Sequence, residues 1–129
     1  MTKPALQSAS TKLADTIARL ALSKKSERTI ELDVRELTSL TDYFLICSAD
    51  TDIQVRAISE AVRRGTEHKP YRTEGAQQAN WIILDYLDVV LHIFKTDQRN
   101  YYNLERLWAD APLKEYKDEP DKSFIESAD

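Results

Sequence analysis

The sequence predicts a single domain of the α/β (α+β) class, with helices packed on a mixed β-sheet of about five strands. Apolar residues recur at helical spacing in three segments of the 129-residue chain. Five other segments alternate polar with apolar residues or are apolar throughout, as strands do. Their order, α-β-β-α-β-β-β-α, is typical of a mixed sheet with helices packed against it.

The first three predicted elements are a helix and two strands. Pro4 is placed to open the helix, whose apolar stripe consists of Leu6, Leu13, Ile17 and Leu20. Residues 29–34 alternate in polarity, which predicts a half-buried strand. Residues 43–49 are apolar on both faces, so we expect this strand at the centre of the sheet.

A second helix and a short strand follow. Thr51 and Gln54 fit a capping box, in which each side chain bonds an amide of the first turn, and Gly65 marks the end of the helix. Residues 71–74 are compatible with a short strand, and residues 75–80 form a polar loop.

The strongest local signal is a hairpin followed by a helix. Residues 81–86 and 88–94 are the two strands of the hairpin. Asp97 is expected to cap the helix, and three residues are expected on one of its faces: Tyr101, Leu104 and Trp108.

Pro112 is expected to end the folded domain, which comprises residues 1–112, and residues 113–129 are expected to form a flexible acidic tail. The net charge of the chain is −4, and the tail holds six acidic residues against three lysines. The body of the domain is therefore nearly neutral. We expect little direct nucleic-acid binding, because such binding is driven by phosphate neutralisation, whereas a basic protein partner would suit this charge.

Composition excludes several classes of function. Two glycines are too few for a glycine-rich phosphate loop, and a single cysteine favours a reducing, cytoplasmic location. The longest apolar run is far shorter than the roughly 20 residues that cross a bilayer, so no membrane contact is expected. Cys47 lies among the apolar residues of a predicted strand and is predicted to be a buried structural thiol. His68 and His92 do not supply a zinc-ligand spacing, so no metal, cofactor or catalytic residue is predicted.

Two charged groups keep several interpretations open. Asp85 and Asp88 flank a turn, where they could shape the turn, hold magnesium for nucleotidyl transfer, or contact a partner. Three arginines of the second helix form either a solvated face or an RNA patch: Arg56, Arg63 and Arg64.

The large aromatic residues near the C-terminus are candidates for a binding surface. They are Trp81, Tyr101, Tyr102 and Trp108. Aromatic residues are usually core but also dominate interface hot spots. Adjacent tyrosines in a helix cannot both face one core, so one of Tyr101 and Tyr102 is expected to point outward.

Ordered short motifs link the chain to a known family. They are Leu-Asp-Val-Arg (32–35), Leu-Thr-Asp-Tyr-Phe (40–44), Gln-Val-Arg-Ala-Ile (54–58), Glu-Gly (74–75), Trp81, Leu-Asp-Tyr (84–86), Asp-Val-Val (88–90), His-Ile-Phe (92–94), Arg-Asn-Tyr-Tyr-Asn-Leu-Glu (99–105) and Leu-Trp-Ala-Asp-Ala (107–111). By these motifs the chain resembles the ribosomal silencing factor family, also called the Iojap family, over about residues 5–111. It departs from the family at Leu87, where relatives usually carry glycine, so a positive φ there would cost on the order of 1 kcal/mol.

The resemblance implies a nucleotidyltransferase-like fold without the catalytic loop. It also implies binding to protein fourteen of the large ribosomal subunit, a steric block of joining with the small subunit, and repression of translation under nutrient limitation. Members of the family can self-associate, so a homodimer is one expected state. The alternatives are a metal-dependent nucleotidyltransferase-like enzyme using Asp85 and Asp88, and an adaptor that touches ribosomal RNA through the arginines. The expected partner-binding residues are Trp81, Asp85, Asp88, Tyr101, Tyr102 and Trp108.

Overall fold

A mixed six-stranded sheet carries helices on both of its faces. The computed structural model describes residues 8–117. Its elements are α1 (Ala9–Ser23), β1 (Glu27–Asp33), β2 (Tyr43–Ala49), α2 (Asp52–Gly65), β3 (Arg72–Glu74), β4 (Trp81–Asp85), β5 (Val89–Lys95), α3 (Thr96–Tyr102), α4 (Leu104–Leu107) and β6 (Leu113–Tyr116). The strand order is β3-β4-β5-β2-β1-β6. The predicted fold class is confirmed, with six strands rather than about five.

The central pair, β2 and β5, is parallel, and the other neighbouring strands are antiparallel. One face of the sheet packs against α1 and α2 to form the larger core, which includes Ile17, Leu45, Ile58 and Leu91. The opposite face has a smaller core under the C-terminal segment, which includes Leu104 and Trp108.

The first helix begins later than the sequence predicts. Ser8 is its N-cap, and the Ser8 hydroxyl accepts a hydrogen bond from the amide of Thr11 at 3.2 Å. The start expected at Pro4 lies outside the described residues. A serine cap satisfies an amide that the first turn leaves without a partner, so the helix can begin at Ala9.

The capping box expected at the start of α2 forms only in part. The Thr51 hydroxyl accepts from the Gln54 amide at 3.1 Å. The Gln54 side chain instead donates to the carbonyls of Lys24 and Lys25 at 3.2 and 3.0 Å. The glutamine therefore joins the start of α2 to the end of α1.

The predicted single C-terminal helix is broken in two. Asn103 has φ 50°, in the left-handed region, and separates α3 from α4. The expected cap at Asp97 is wrong, because Lys95 occupies the N-cap position and makes no side-chain cap bond. Asp97 lies in the first turn instead, where its charge suits the helix dipole.

Strand β1 is buried on both faces rather than one. Thr29 and Glu31 are 1% and 9% exposed. They are covered by α1 and by Tyr116 of β6, whose hydroxyl donates to Glu31 Oε1 at 3.0 Å. Burial raises the pKa of Glu31 despite that hydrogen bond.

Because β6 belongs to the sheet, the domain extends beyond the boundary expected at residue 112. Leu113–Tyr116 lies within the segment that the sequence predicts to be a flexible tail, yet these residues pair with β1, and the Tyr116 side chain joins the larger core. The remainder of the predicted tail, residues 118–129, lies outside the described residues. A short segment in which charged and apolar residues are mixed has the composition of a flexible tail. Only its pairing with β1 identifies it as a strand.

Truncation after Leu113 should therefore destabilise the domain by about 3 kcal/mol, because it removes a buried aromatic and leaves Glu31 without its donor. Urea unfolding followed by circular dichroism measures this. Truncation after Lys117 is the matched control and should cost little. Equal stability of the two truncated chains would contradict a structural role for β6.

The turn between β4 and β5 holds a residue in an unfavourable backbone conformation. Leu87 has φ 73° and is 53% exposed. Its amide donates to Asp85 Oδ1 at 2.8 Å, and the Tyr86 amide donates to the Val89 carbonyl at 2.8 Å. The left-handed conformation costs a leucine roughly 1–2 kcal/mol. Glycine adopts this conformation without that cost but loses more conformational entropy on folding, so a substitution to glycine would regain only part of it.

Leu87→Gly should raise the free energy of unfolding by roughly 0.5–1 kcal/mol. Leu87→Ala is the control, since alanine keeps a Cβ in the strained conformation and should gain little. Denaturant titration of the three chains checks this, and a Leu87→Gly chain that is less stable than wild type would contradict it.

Candidate protein-binding site

Six aromatic side chains form a continuous row across the sheet face opposite α1 and α2. We call this set the aromatic row; in order it comprises Trp108, Phe44, His92, Trp81, Tyr102 and Tyr101. Successive ring centroids are 5.2, 5.5, 5.8, 4.6 and 5.1 Å apart. Such distances allow tilted and edge-to-face contacts, which favour a fixed arrangement of the rings.

The alternation of side chains along the strands puts the middle of the row, Phe44, His92 and Trp81, on one face of the sheet. Ile82 and Leu84 of β4 join the core under α1 and α2, so Trp81 and Ile83 point to the other face. The register pairs Ile83 with His92, which carries the row from β4 to β5. On β2 the same alternation leaves Phe44 beside these rings, because β2 pairs in parallel with β5.

A buried arginine fixes the position of α3, which carries the helical end of the row, Tyr101 and Tyr102. Arg99 of α3 is 1% exposed, and its guanidinium donates to the Arg28 carbonyl at 2.6 Å and to Ser48 Oγ at 3.1 Å. It also binds Glu105 Oε2 through Nη2 at 2.8 Å. These contacts hold α3 and α4 on the sheet, which sets Tyr102 against Trp81.

Trp81 is fixed from three directions. Its indole N–H donates to Nδ1 of His92 at 3.0 Å, its ring stacks on Phe94 at 4.7 Å, and the ring of Tyr102 packs against it at 4.6 Å. The loop before it also approaches closely: Gly75 has φ 81°, and a Cβ there would overlap the main-chain oxygen of Trp81. Glycine is required at this position by both conformation and space.

The helical end of the row is open to solvent. Tyr101 is 80% exposed and Tyr102 is 47% exposed, and Leu107 of α4 is 72% exposed. Tyr101 is thus the outward tyrosine of the pair, while Tyr102 packs on Trp81. Contiguous exposed aromatic and apolar side chains are typical of a surface that another protein covers.

The structure brings four of the six predicted site residues into the row: Trp81, Tyr101, Tyr102 and Trp108. Sequence reasoning missed Phe44 and His92. The alternation of β5 could have found His92, since it lies two residues before Phe94 and therefore on the same face. Phe44 gives no such signal, because its strand is apolar on both faces.

The two acidic site residues have different environments. Asp85 lies on the same sheet face as the row, but its carboxylate accepts the Leu87 amide and lies 3.5 Å from Arg72, and its side chain is 19% exposed. Asp88 is exposed in the turn, where its main-chain oxygen accepts from the amides of Asp42 and Tyr43. The interpretation of Asp85 as a turn-forming residue is therefore confirmed. Across residues 8–117, no group of three or more His, Cys, Asp or Glu side chains is placed to hold a metal ion.

The arginines of α2 have intramolecular partners. Arg56 donates to the carbonyls of Ala76 and Gln77 at 2.9 and 2.7 Å, which fixes the loop before β4. Arg63 and Arg64 both bind Glu60. Glu60 thus offsets part of the charge of Arg63 and Arg64, whereas the guanidinium of Arg56 is bound to neutral carbonyls.

The remaining candidate chemistry is structural. Cys47 is fully buried, and burial raises the pKa of its thiol to about 12, so it stays protonated at neutral pH. In the part of the chain that the structure describes, no helix is long and apolar enough to cross a membrane.

Comparison with known proteins identifies the family. The family described as "Ribosomal silencing factor during starvation" matches residues 7–128. The chain belongs to the ribosomal silencing factor family. The name of the family associates its members with silencing of the ribosome.

Relatives of the silencing factor family cover most of the chain. Ribosomal silencing factors of Halalkalibacterium halodurans and Bacillus subtilis are 42% and 41% identical over 97 and 93 residues. These matches span 71% and 70% of this chain, and 81% and 79% of the relatives. The chloroplastic protein Iojap of Zea mays is 36% identical over 100 residues, spanning 76% of this chain and 44% of that protein.

Two solved structures have the same fold. A crystal structure from Chromobacterium violaceum superposes with a TM-score of 0.74 at 26% identity, covering 85% of this chain and 88% of that one. One from Bacillus halodurans gives a TM-score of 0.70 at 35% identity, covering 81% and 98%.

In this silencing-factor chain, the histidine of the row is held neutral. Burial lowers the pKa of His92 from 6.5 to about 4, although the nearby charge of Asp85 acts in the opposite direction. In the unfolded chain the imidazole takes up its proton near pH 6.5, and in the folded chain only near pH 4. Stability is therefore lost as the pH falls through this window.

Between pH 7 and pH 4, the wild-type chain should lose up to about 3 kcal/mol of stability relative to a His92→Gln variant. Urea unfolding at a series of pH values measures the difference. Glu31 is present in both chains, so its own titration cancels. Parallel stability curves for the two chains would contradict a depressed pKa of His92.

Proposed function

We propose that this chain binds the large ribosomal subunit through its protein fourteen and sterically blocks joining with the small subunit. Translation would thereby be repressed in the cytoplasm when nutrients are limiting. The observation that carries the proposal is the aromatic row, a rigid and partly exposed surface in a family named for silencing ribosomes. A homodimer stays a prediction of the family resemblance.

The row would supply the apolar centre of the interface and the β4–β5 turn its acidic rim. Tyr101, Tyr102 and Trp81 offer large contact areas at a low entropic cost, as hot-spot residues do. Asp85 and Asp88 lie at the other end of the hairpin from Trp81. The exposed Asp88 would steer a basic ribosomal protein, and Asp85, whose carboxylate is bound to Arg72 and to the Leu87 amide, would hold the turn that presents Asp88. Since rim charges mainly affect the association rate, the aromatic contacts should dominate the affinity.

We propose no catalytic role. The nucleotidyltransferase alternative would use Asp85 and Asp88 to hold magnesium, but the Asp85 carboxylate is already engaged with Leu87 and Arg72. The RNA-adaptor alternative would use Arg56, whose guanidinium is engaged with the loop before β4.

Sedimentation with separated ribosomal subunits tests the proposal directly. We expect the protein to travel with the large subunit, and to lower the fraction of joined ribosomes when both subunits are present. Equal binding to both subunits, or binding to bare ribosomal RNA, would overturn the proposal.

A Trp81→Ala, Tyr102→Ala double variant should bind large subunits at least tenfold more weakly, about 1.4 kcal/mol, because it removes the centre of the row. Circular dichroism establishes that it folds. Ile53→Ala is the matched control, since Ile53 is an exposed apolar residue (81%) on α2, on the other side of the sheet. A folded double variant that still blocks joining at wild-type concentration would place the binding surface elsewhere.

A further inference from the structure

The hydrogen bond between Trp81 and His92 determines which nitrogen of the imidazole carries its proton. An indole N–H can only donate, so Nδ1 of His92, 3.0 Å away, must accept. A neutral imidazole has one acceptor and one donor nitrogen. The proton of His92 therefore resides on Nε2.

That second nitrogen is a donor without a partner among residues 8–117. Its ring makes one hydrogen bond there, the one from Trp81. Nε2 is nevertheless not one of the fully buried unpaired side-chain atoms of the described residues, which are Thr41 Oγ1, Arg63 Nε and Glu105 Oε1. Nε2 therefore reaches solvent, although His92 as a whole is only 7% exposed.

A protein that covers the aromatic row would take this N–H out of water. Burial of a donor without an acceptor is unfavourable, so the covering surface must present an acceptor there. A lysine or arginine side chain would meet a second donor. A carboxylate would meet the nearby negative charge of Asp85, which acts on the same imidazole.

We propose that His92 is a specificity-determining residue, whose Nε2–H donates to an uncharged oxygen acceptor, such as a main-chain carbonyl, on the protein that docks on the aromatic row. This inference rests on the proposed function and names the chemistry of one contact within it. His92 thus has two separable roles: Nδ1 orients Trp81 and Nε2 recognises the partner. A partner that matches the row in shape but lacks the acceptor is discriminated against.

Two substitutions separate these roles. In His92→Asn, the amide oxygen can take the place of Nδ1 and keep the bond from Trp81, but no donor reaches the position of Nε2. In His92→Gln, the amide nitrogen can take the place of Nε2, but the acceptor for Trp81 is lost. The ¹⁵N–¹H signal of the Trp81 indole, assigned with a Trp81→Phe variant, reports whether that bond is kept.

Binding to purified large ribosomal subunits is then measured for wild type and both variants, after thermal melts establish folding. His92→Gln should bind within about threefold of wild type, whereas His92→Asn should bind at least tenfold more weakly, about 1.4 kcal/mol. The reverse order would show that His92 acts only through Trp81 and would overturn the proposal. Equal binding by the two variants, whether strong or weak, would also overturn it.

A measurement on the wild-type protein covers the case in which a variant does not fold. With ¹⁵N-labelled histidine, the Nε2–H signal should be lost to fast exchange with water in the free protein and appear in the complex with isolated ribosomal protein fourteen. A signal that stays absent in the complex counts against the proposal. If wild-type protein binds no large subunits at all, the proposed function itself fails, whereas wild-type binding with no effect of either substitution rejects this inference alone.

Discussion

The buried guanidinium of Arg99 is the contact on which the binding surface depends. β1 contains an irregularity between Glu27 and Ile30, where Arg28 has φ 50° and the pairing with β2 shifts register. Such a bulge leaves main-chain groups without hydrogen-bond partners on the neighbouring strand, and the Arg99 guanidinium donates to one of them, the Arg28 carbonyl. Glu105 balances the charge from the next helix. One side chain thus joins the bulge, β2, α3 and α4. Removing it would abolish the shorter of the two ion pairs of Glu105, at 2.8 Å, and leave the longer one with Arg28, at 3.5 Å.

The aromatic row is rigid because its members have different supports. Phe44, His92 and Trp81 lie on three adjacent strands, whose spacing the sheet sets, whereas Tyr102 is delivered by the helix that Arg99 anchors. Rings held this way lose little conformational freedom when a partner covers them, so more of the contact energy remains as affinity. The same rigidity keeps the Trp81–His92 hydrogen bond in place, and with it the direction of the remaining donor. Shape and polarity of the surface are therefore coupled.

Local sequence patterns correctly predicted the elements whose structure does not depend on a distant partner. The strand 43–49 and the hairpin were confirmed because a run that is apolar on both faces has few alternatives to a central strand. Predictions failed where a distant partner decides the outcome. Glu31 and Thr29 have the polarity of a solvent-facing edge, yet α1 and Tyr116 bury them. The break at Asn103 was missed because the sequence around it favours a continuous helix.

The sequence by itself determined the fold class, the central strand, the Thr51 cap and the supply of aromatic residues near the C-terminus, since each can be predicted from the periodicity, order or composition of short segments. Only the tertiary structure decided which sheet face α1 and α2 leave open, that Tyr101 rather than Tyr102 points outward, and that Phe44 joins the row. It also showed that the Asp85 carboxylate does not project from the turn but bonds within it and pairs with Arg72. The physical reason is that burial, ring stacking and the choice of imidazole tautomer depend on groups brought together from separate strands, and no local pattern encodes those neighbours.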